Sequence, residues 1–442
     1  MIEILTLGIF ALALIICLSF DITVIAALLI GFLCFFSYGL YKGFSVKQLL
    51  LMAGKGQKTG FNIMVVLSLI GLLTASWRIS GTIPYLVSFA VNFISPDYCL
   101  FFAFVLNAAL SLLIGTAFGT SATMGVITMS ICIAAGADPM LAGGAVLAGC
   151  YVGDRNSPVS SSASLVAVVT KTDLYQNVRL MLFSAAIPFV LSCLIYLGFG
   201  VSQTYQEIHM ALGEQFAQEF VMSWWSAVPA IILLGLIFAK LDIKKSISIS
   251  VLSALVLAFV LQERGIEEIL NTLFSGYVSK NLSLSKMLNG GGFLSMVPVV
   301  IIICISCTYS GLFEGTALID TLKNGVEKIS KKSTPFTAIL LTAITTALIS
   351  CNQVLTVILT KQLCANIQPD KQKMAIDLEN SSILIPALIP WSIAGAVPIA
   401  TVGAPVSSVL GAFFIGWYVR RLPLLKNEAE TCLQWEGQIL FL

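Results

Sequence analysis

The chain has 442 residues, of which 58% are hydrophobic and 10% are charged, and its formal net charge is +2. A soluble globular domain carries about 25% charged residues, so the composition excludes that class and indicates an all-α integral membrane protein. The near-neutral charge gives no basic surface for nucleic acid, so we expect a lipid bilayer and no nucleic acid as a partner.

Apolar stretches long enough to cross a bilayer follow one another along the chain. They lie at about 3–20, 22–40, 61–80, 98–118, 120–136, 178–200, 221–239, 246–262, 293–311, 335–351, 374–390 and 396–419. Shorter apolar pieces at 83–94, 141–152 and 159–170 are rich in Gly, Ser and Pro. Such pieces are typical of broken helices and re-entrant hairpins. We therefore expect one polytopic domain over residues 1–442, with about 10–12 transmembrane helices.

Loop charges predict the orientation, because loops rich in Lys and Arg stay in the cytoplasm. Basic clusters lie at 42–58, 240–245, 323–332 and 420–426. The segment from Ser202 to Phe220 has no Lys or Arg and contains three glutamates. This pattern predicts a multi-pass protein with a cytoplasmic C-terminus and an external acidic segment.

The two halves of the chain resemble each other. LNAALSLLIGTAFGTSATMGV begins at Leu106, and LTAITTALISCNQVLTVILTK begins at Leu341. In each, an apolar run meets a small or polar break, at Gly115-Thr116 and at Ser350-Cys351-Asn352. The loop charges place the first run's start outside and the second run's start inside. We therefore expect two inverted-topology repeats, at about 60–200 and 290–420.

The first break, GTAFGTSATMG, contains three glycines and four hydroxyl side chains between Gly115 and Gly125. One interpretation is a close helix–helix contact, since small residues let helices approach. The other is an unwound helix whose free carbonyls coordinate a cation and whose half-helix end faces an anionic group.

The segment GDRNSPVSSSASLVA, from Gly153 to Ala167, contains the most polar groups within an apolar context. Polar groups at membrane depth survive only inside protein or beside a water-filled cavity. Pro158 releases backbone carbonyls from helical bonding, and Asp154 supplies charge. The alternative is a surface salt bridge between Asp154 and Arg155 or Lys171.

Two further features have open interpretations. Glu379 is either a cavity group or the end of the preceding charged loop. Arg78 either extends to the membrane interface, binds a carboxylate through two hydrogen bonds or pairs with an intramembrane acid.

These considerations give two sets of expected site residues. The expected ion-binding residues are Asp154, Asn156, Ser157, Thr120, Ser121, Asn352, Glu379, Asn380 and Ser381. The expected solute-binding residues are Arg78, Thr116, Thr123, Ser160, Ser161, Ser162, Gln353 and Trp391.

From about residue 60 to 420 the chain resembles the NhaC family of Na⁺/H⁺ antiporters, within the wider ion-transporter superfamily. The resemblance rests on SWRISGTIP, GTAFGTSATMG, GDRNSPVSSSASL and LENSSILIPALIPW. It implies a secondary transporter of a bacterial-type inner membrane, driven by Na⁺ or H⁺, and it leaves a homodimer open.

The chain also departs from the family pattern. Ser161 stands where the pattern has a second Asp, Ser164 where it has Asn, and Arg78 where it has an apolar residue. Losing an acid weakens the case for plain cation/proton exchange, whereas gaining an arginine suits an organic anion or zwitterion.

We therefore expect an Na⁺-coupled or H⁺-coupled transporter that moves a small organic solute, such as an amino acid or carboxylate, by alternating access. The alternative is a Na⁺/H⁺ antiporter in which Asp154 or Glu379 exchanges the ions. We expect no enzyme, since the chain has one histidine, His209, and scattered cysteines. No cofactor, and no metal beyond Na⁺, is expected.

Overall fold

The computed structural model describes residues 2–19, 23–91, 95–202, 215–239, 241–281, 284–285, 288–316 and 334–420. His209, most of the predicted external acidic segment, the basic cluster at 323–332 and the tail beyond Arg420 lie outside the described residues. Within the described ranges the regular elements are helical, apart from one isolated bridge between Tyr277 and Gly290. The expectation of an all-α membrane protein is confirmed.

The helices are numbered in chain order. They are α1 Ile2–Ser19, α2 Val24–Tyr41, α3 Val46–Ile79, α4 Thr82–Val91, α5 Cys99–Ile114, α6 Ala117–Ala134, α7 Pro139–Asn156, α8 Ser161–Thr170, α9 Leu174–Ser202, α10 Val228–Phe238, α11 Ile243–Val260, α12 Ile266–Ser275, α13 Phe293–Thr316, α14 Pro335–Ser350, α15 Gln353–Leu363, α16 Lys371–Asn380, α17 Ile393–Val402 and α18 Phe413–Arg420. Helix α6 contains a π-helical turn at Ser121–Gly125.

Five of the described helices have the length and composition to cross a membrane, and two bent pairs raise the number to seven. The bent pairs are Ile63–Ile79 with Thr82–Phe89, at 69°, and Lys371–Leu388 with Ile393–Val402, at 53°. Five shorter apolar helices of 10–17 residues accompany them. The sequence-based prediction of about 10–12 helices also counts such shorter helices.

Helix α7 packs tightly along α5, and this contact fixes the position of Asp154. Gly153 makes the approach possible, since a Cβ there would lie 1.9 Å from the Ser111 carbonyl carbon. The Ser111 hydroxyl accepts a hydrogen bond from the Gly153 N–H at 3.0 Å and donates to the Cys150 carbonyl. A larger residue at 153 would force the two helices apart.

The helical structure is interrupted at both predicted breaks, and the backbone has the same conformation at each. Helix α5 ends at Gly115 (φ 75°, ψ 16°), and extended Thr116 (φ −141°, ψ 134°) precedes α6. Helix α14 ends at Cys351 (φ 54°, ψ 15°), and extended Asn352 (φ −142°, ψ 129°) precedes α15. A left-handed residue followed by an extended one ends the first helix and lets a new helix start in another direction.

The two halves also share a sequence of helix caps after the breaks. Asp138 caps α7, and Asp370 caps α16, each through its side chain. The ten-residue helices α8 and α17 then end at left-handed residues, Lys171 and Gly403. Acids lie near the C-terminal ends of α7 and α16, at Asp154 and Glu379. The order of backbone features is therefore the same in both halves.

Candidate functional site

A partly open cavity of about 330 Å³ surrounds Asp154. Its lining is composed of Thr116, Ala117, Phe118, Tyr151, Asp154, Ser161, Ser162, Leu165, Gln353, Val354 and Ile383. These residues come from both halves of the chain, and most of them lie at helix ends. Its volume is at the lower end of the range for small-molecule sites, so the cavity can hold a small solute.

Three helix N-termini meet at this cavity. The N-cap and first residues of α6 line it, as do the first two residues of α8 and of α15. The first N–H groups of a helix lack intrahelical partners and carry about half a positive charge. The cavity therefore presents three partial positive charges to one carboxylate, Asp154.

The Asp154 carboxylate is buried, with 5% of the residue exposed. Gln353 Nε2 donates to Asp154 Oδ2 at 3.0 Å. The Ala117 backbone N–H and the Ser162 hydroxyl face the same carboxylate. Because these groups belong to α6, α8 and α15, Asp154 is the group on which the three helix ends converge.

Gln353 connects the two halves of the chain at this point. Its Nε2 also donates to the Ile383 carbonyl at 3.0 Å, and its Oε1 accepts from the Ser162 hydroxyl at 3.3 Å. Both ends of the amide are therefore engaged by protein groups.

Polar side chains at the three N-caps hold the helix ends in place. Thr116 Oγ1 accepts from the Gly119 N–H at 3.2 Å, and Asn352 Oδ1 accepts from the Val354 N–H at 2.9 Å. Ser160 caps α8 and also donates to the Asp154 carbonyl. Thr116 lines the cavity, while Ser160 and Asn352 act as caps behind the lining.

Arg155 follows Asp154 in α7 and is fully buried. Its guanidinium donates to Ser184 Oγ at 2.9 Å, to the Met181 carbonyl at 3.1 Å, and to Asn156 Oδ1 and Asn380 Oδ1 at 2.5 Å each. These bonds join α7 to α9 and α16. Arg155 thus fixes the end of the helix that carries Asp154.

Glu379 is a second buried acid close to this network. It is 0% exposed, and neither carboxylate oxygen has a hydrogen-bond partner among the described residues. Arg155 and Asp154 are the charged groups whose fields reach it. Glu379 therefore lies within the protein interior, next to the Arg155 network and outside the cavity lining.

The structure brings together five of the predicted site residues at the cavity: Thr116, Asp154, Ser161, Ser162 and Gln353. Three hydroxyls of α6 bond to carbonyls of their own helix, at Thr120, Ser121 and Thr123. Five others bond to groups behind the lining: Asn156 and Asn380 to Arg155, Ser157 to the Leu112 carbonyl, Ser381 to the Asp377 carbonyl and Trp391 to the Leu348 carbonyl.

Arg78 is also outside the cavity lining. It lies in the last turn of α3, where Nη1 donates to the Thr74 carbonyl at 3.2 Å. A Cβ on Gly291 would lie 2.9 Å from that same nitrogen. The structure therefore places the Arg78 guanidinium beside the Gly290–Gly292 turn, at the bend between α3 and α4.

Sequence reasoning missed the apolar part of the lining, which consists of Phe118, Leu165, Val354 and Ile383 together with Tyr151. Tyr151 lies one turn before Asp154 on α7 and donates to the Ala394 carbonyl at 2.9 Å. Helical spacing from Asp154 points to Tyr151, whereas the apolar residues look like any other membrane residues in the sequence.

A cation in this cavity would bind to oxygen atoms alone. No group of three or more His, Cys, Asp or Glu residues with metal-binding geometry exists in the part of the chain that the structure describes. Hard cations prefer carboxylate, carbonyl and water oxygens. Asp154, the Ile383 carbonyl and the nearby hydroxyls provide such oxygens.

Broken apolar helices whose ends meet at a cavity with a buried acid are typical of a membrane transporter. The model of the Na⁺/H⁺ antiporter family matches residues 149–415, which include Asp154, Gln353 and Glu379. The chain belongs to this family, in its NhaC branch.

Curated relatives cover most of the chain. The Na⁺/H⁺ antiporter NhaC of Alkalihalophilus pseudofirmus is 27% identical, over 81% of this chain and 80% of its own length. The malate-2H⁺/Na⁺-lactate antiporter of Bacillus subtilis is 24% identical, over 96% and 93%. The arginine/ornithine antiporter ArcD of Halobacterium salinarum is 26% identical, over 81% and 76%. The chain is accordingly an antiporter-type transporter and not an enzyme.

Proposed function

We propose that the protein is an Na⁺-coupled transporter, with H⁺ as the alternative coupling ion, that moves a small organic solute through the Asp154 cavity by alternating access. The solute class is a small carboxylate or an amino acid. Asp154 binds the cation, and the helix N-termini of α6, α8 and α15 bind the carboxylate group.

The observation that carries this proposal is the convergence of three helix N-termini on a cavity with one acid. Helix N-termini bind anionic groups through their N–H groups and partial charge. A single cation on Asp154 neutralises the acid and leaves the N-termini to attract a carboxylate. A site for a bare cation has no need of three positive helix ends.

The matching backbone of the two halves supports alternating access. Inverted repeats place the substrate site at their interface and exchange conformations to open it to each side. The shared conformation at Gly115-Thr116 and Cys351-Asn352, with the shared caps that follow, supports repeats at 60–200 and 290–420. The basic clusters support a cytoplasmic C-terminus.

Thermal stabilisation of the purified protein tests the proposal. A ligand that binds only the folded state raises the melting temperature by mass action. We expect a small carboxylate or amino acid to stabilise the protein in Na⁺ but not in choline at equal ionic strength. Stabilisation by Na⁺ alone, with no solute adding to it at any pH, would contradict the organic solute.

A second candidate function is Na⁺/H⁺ exchange without an organic solute. The observation that favours it is Glu379, a buried acid with no hydrogen-bond donor on either oxygen among the described residues. A buried carboxylate without partners is costly when charged, so such a group suits proton carriage. In sealed vesicles this function predicts Na⁺-evoked pH changes in the absence of any solute.

A further inference from the structure

The amide nitrogen of Gln353 lies within hydrogen-bond distance of two oxygen atoms at the cavity. Nε2 lies 3.0 Å from Asp154 Oδ2 and 3.0 Å from the Ile383 carbonyl oxygen. Two oxygens, one of them charged, thus converge on a single NH₂ group. Two converging oxygens of this kind are also what a hard cation binds.

We propose that Na⁺ binds beside these two oxygens and that the Gln353 amide then turns by about half a rotation, so that Oε1 replaces Nε2. Its Oε1 becomes a third ligand beside Asp154 Oδ2 and the Ile383 carbonyl. The inference rests on the proposed function, because it assumes that Na⁺ enters the Asp154 cavity. It assigns Gln353 to the ion and not to the solute.

The two amide ends differ in chemistry but occupy nearly the same volume. The NH₂ group donates two hydrogen bonds, whereas the carbonyl oxygen only accepts them. A rotation about the terminal bond therefore exchanges a competitor of Na⁺ for a ligand without repacking the cavity. The torsion at an amide end has broad, roughly two-fold preferences, so both orientations are accessible.

Ser162 keeps its hydrogen bonds through the rotation. Its hydroxyl donates to Gln353 Oε1 at 3.3 Å before the amide turns. A hydroxyl both donates and accepts, so after the rotation it accepts from Gln353 Nε2. Its own hydrogen then points to the Asp154 carboxylate, which it already faces. The Ser162 hydroxyl therefore has a partner in both orientations of the amide.

The Ile383 carbonyl is suited to the role of a ligand. Ile383 lies in the turn at residues 381–384, between α16 and the 3₁₀-helix Ile385–Leu388. Carbonyls outside regular helices coordinate coupling ions in broken-helix transporters. When the amide rotates, Gln353 Nε2 no longer donates to this oxygen. The Ile383 carbonyl oxygen therefore exchanges its hydrogen bond with the amide for a bond to the ion.

Two substitutions at one position separate ligation from competition. Gln353→Glu keeps an oxygen at this position and removes the competing NH₂, so we expect Na⁺ affinity at least about tenfold higher, or ~1.4 kcal/mol. Gln353→Met removes both the oxygen and the NH₂ group, so we expect Na⁺ affinity at least about tenfold lower. Affinity is read from the Na⁺ dependence of thermal stabilisation, with choline chloride holding ionic strength constant.

The chain offers a matched control in a second glutamine–aspartate pair. Gln368 Nε2 donates to Asp377 Oδ2 at 3.4 Å, and neither residue lines the cavity. Gln368→Glu should keep the wild-type Na⁺ affinity. An affinity that is unchanged or higher in Gln353→Met would overturn the inference, because Gln353 would then only compete with Na⁺. An unchanged Na⁺ affinity in Gln353→Glu would also overturn the inference.

The result that would refute the proposed function differs from the result that would refute the role of Gln353. If Asp154→Asn binds Na⁺ as the wild type does, the cavity is not the cation site, whatever Gln353 does. If Asp154→Asn loses Na⁺ binding and Gln353→Met keeps it, only the role of Gln353 is refuted.

An infrared difference spectrum of the wild-type protein provides a test without a Gln353 variant. Adding Na⁺ in place of choline should shift both a carboxylate band and a side-chain amide C=O band. Gln368→Glu should leave both shifts in place. A carboxylate shift without an amide shift would refute the rotation.

Discussion

Gly115 and Cys351 occupy the same left-handed backbone position at the two helix breaks, although only Gly115 lacks a side chain. The Gly115 position is also crowded: a Cβ there would lie 2.7 Å from the Val159 carbonyl carbon and 2.8 Å from the Ser160 nitrogen. The first break therefore touches the residue that caps α8, so the N-termini of α6 and α8 are fixed together.

Gly115→Ala should destabilise the protein and abolish uptake. The left-handed conformation costs a non-glycine residue about 1–2 kcal/mol, and the contacts with Val159 and Ser160 add to this. The measurement is the apparent melting temperature in detergent, together with solute uptake in vesicles.

Gly198→Ala is the matched control for Gly115→Ala. Gly198 lies within α9, and a Cβ added at this position would have no other atom within 4 Å. An alanine in a helix interior is favoured over glycine by roughly 0.5–1 kcal/mol. A melting temperature that falls equally in both variants would contradict the proposed contact at the break.

Asp154→Asn should abolish Na⁺-driven uptake while the protein still folds. Asparagine has nearly the same shape and still accepts a hydrogen bond from Gln353, but it has no charge for the cation. Uptake is measured in vesicles with an imposed Na⁺ gradient. Asp377→Asn, on α16 and outside the cavity lining, should keep the gradient dependence, and uptake that is independent of Asp154 would exclude this cation site.

Arg155→Met should strongly destabilise the protein. The substitution removes the bonds to Met181, Ser184 and Asn380 and leaves Glu379 without its cationic neighbour. Breaking such a buried charged network costs about 3–5 kcal/mol. Arg179→Met, at an exposed position of α9, should change stability by no more than about 0.5 kcal/mol.

A double substitution tests whether Arg155 and Glu379 act on each other. If the charge of Arg155 stabilises Glu379, Arg155→Met with Glu379→Gln should be more stable than the sum of the two single effects predicts. The apparent melting temperatures of the four proteins give this coupling. Strict additivity would mean that the two residues contribute independently.

Glu219 should make the protein sensitive to acid. Burial alone would raise its pKa, but hydrogen bonds from Ser279, from Tyr277 and from the Lys280 N–H lower it below the usual 4.5. A lowered folded pKa gives stability that is present above the usual pKa and is lost as the pH falls through the folded value. The fall in melting temperature between pH 7 and about pH 3 should therefore be smaller in Glu219→Gln.

Glu267→Gln serves as the control for the acid test. Glu267 is exposed in the first turn of α12. Its substitution should leave the wild-type fall in melting temperature unchanged. An equal fall in wild type, Glu219→Gln and Glu267→Gln would refute the role of Glu219.

The sequence predicts the membrane class and the positions of the breaks because these depend on local composition. A small or polar residue after an apolar run can interrupt a helix wherever it occurs, so Gly115-Thr116 and Cys351-Asn352 are visible in the sequence. The number of helices that cross the whole membrane is harder to predict from the sequence. A separate 10-residue helix and one half of a bent span have the same apolar composition.

The sequence could not predict which side chains point into the cavity. Asp154, Asn156 and Ser157 are neighbours in the chain, yet only Asp154 lines the cavity. Successive helical residues point about 100° apart, and the helix ends directly after Asn156. Arg78 is a similar case, since a charge in an apolar context signals a special environment without saying which one.

In the proposed function, different parts of the cavity bind the charge of the solute and select the solute. The positive character of the cavity comes from the backbone at three helix ends, which any sequence that folds this way provides. Its size and shape depend in part on apolar side chains at Phe118, Leu165 and Val354. We therefore expect substitutions of these side chains to change which solute fits the cavity, while the partial charges of the helix ends stay the same.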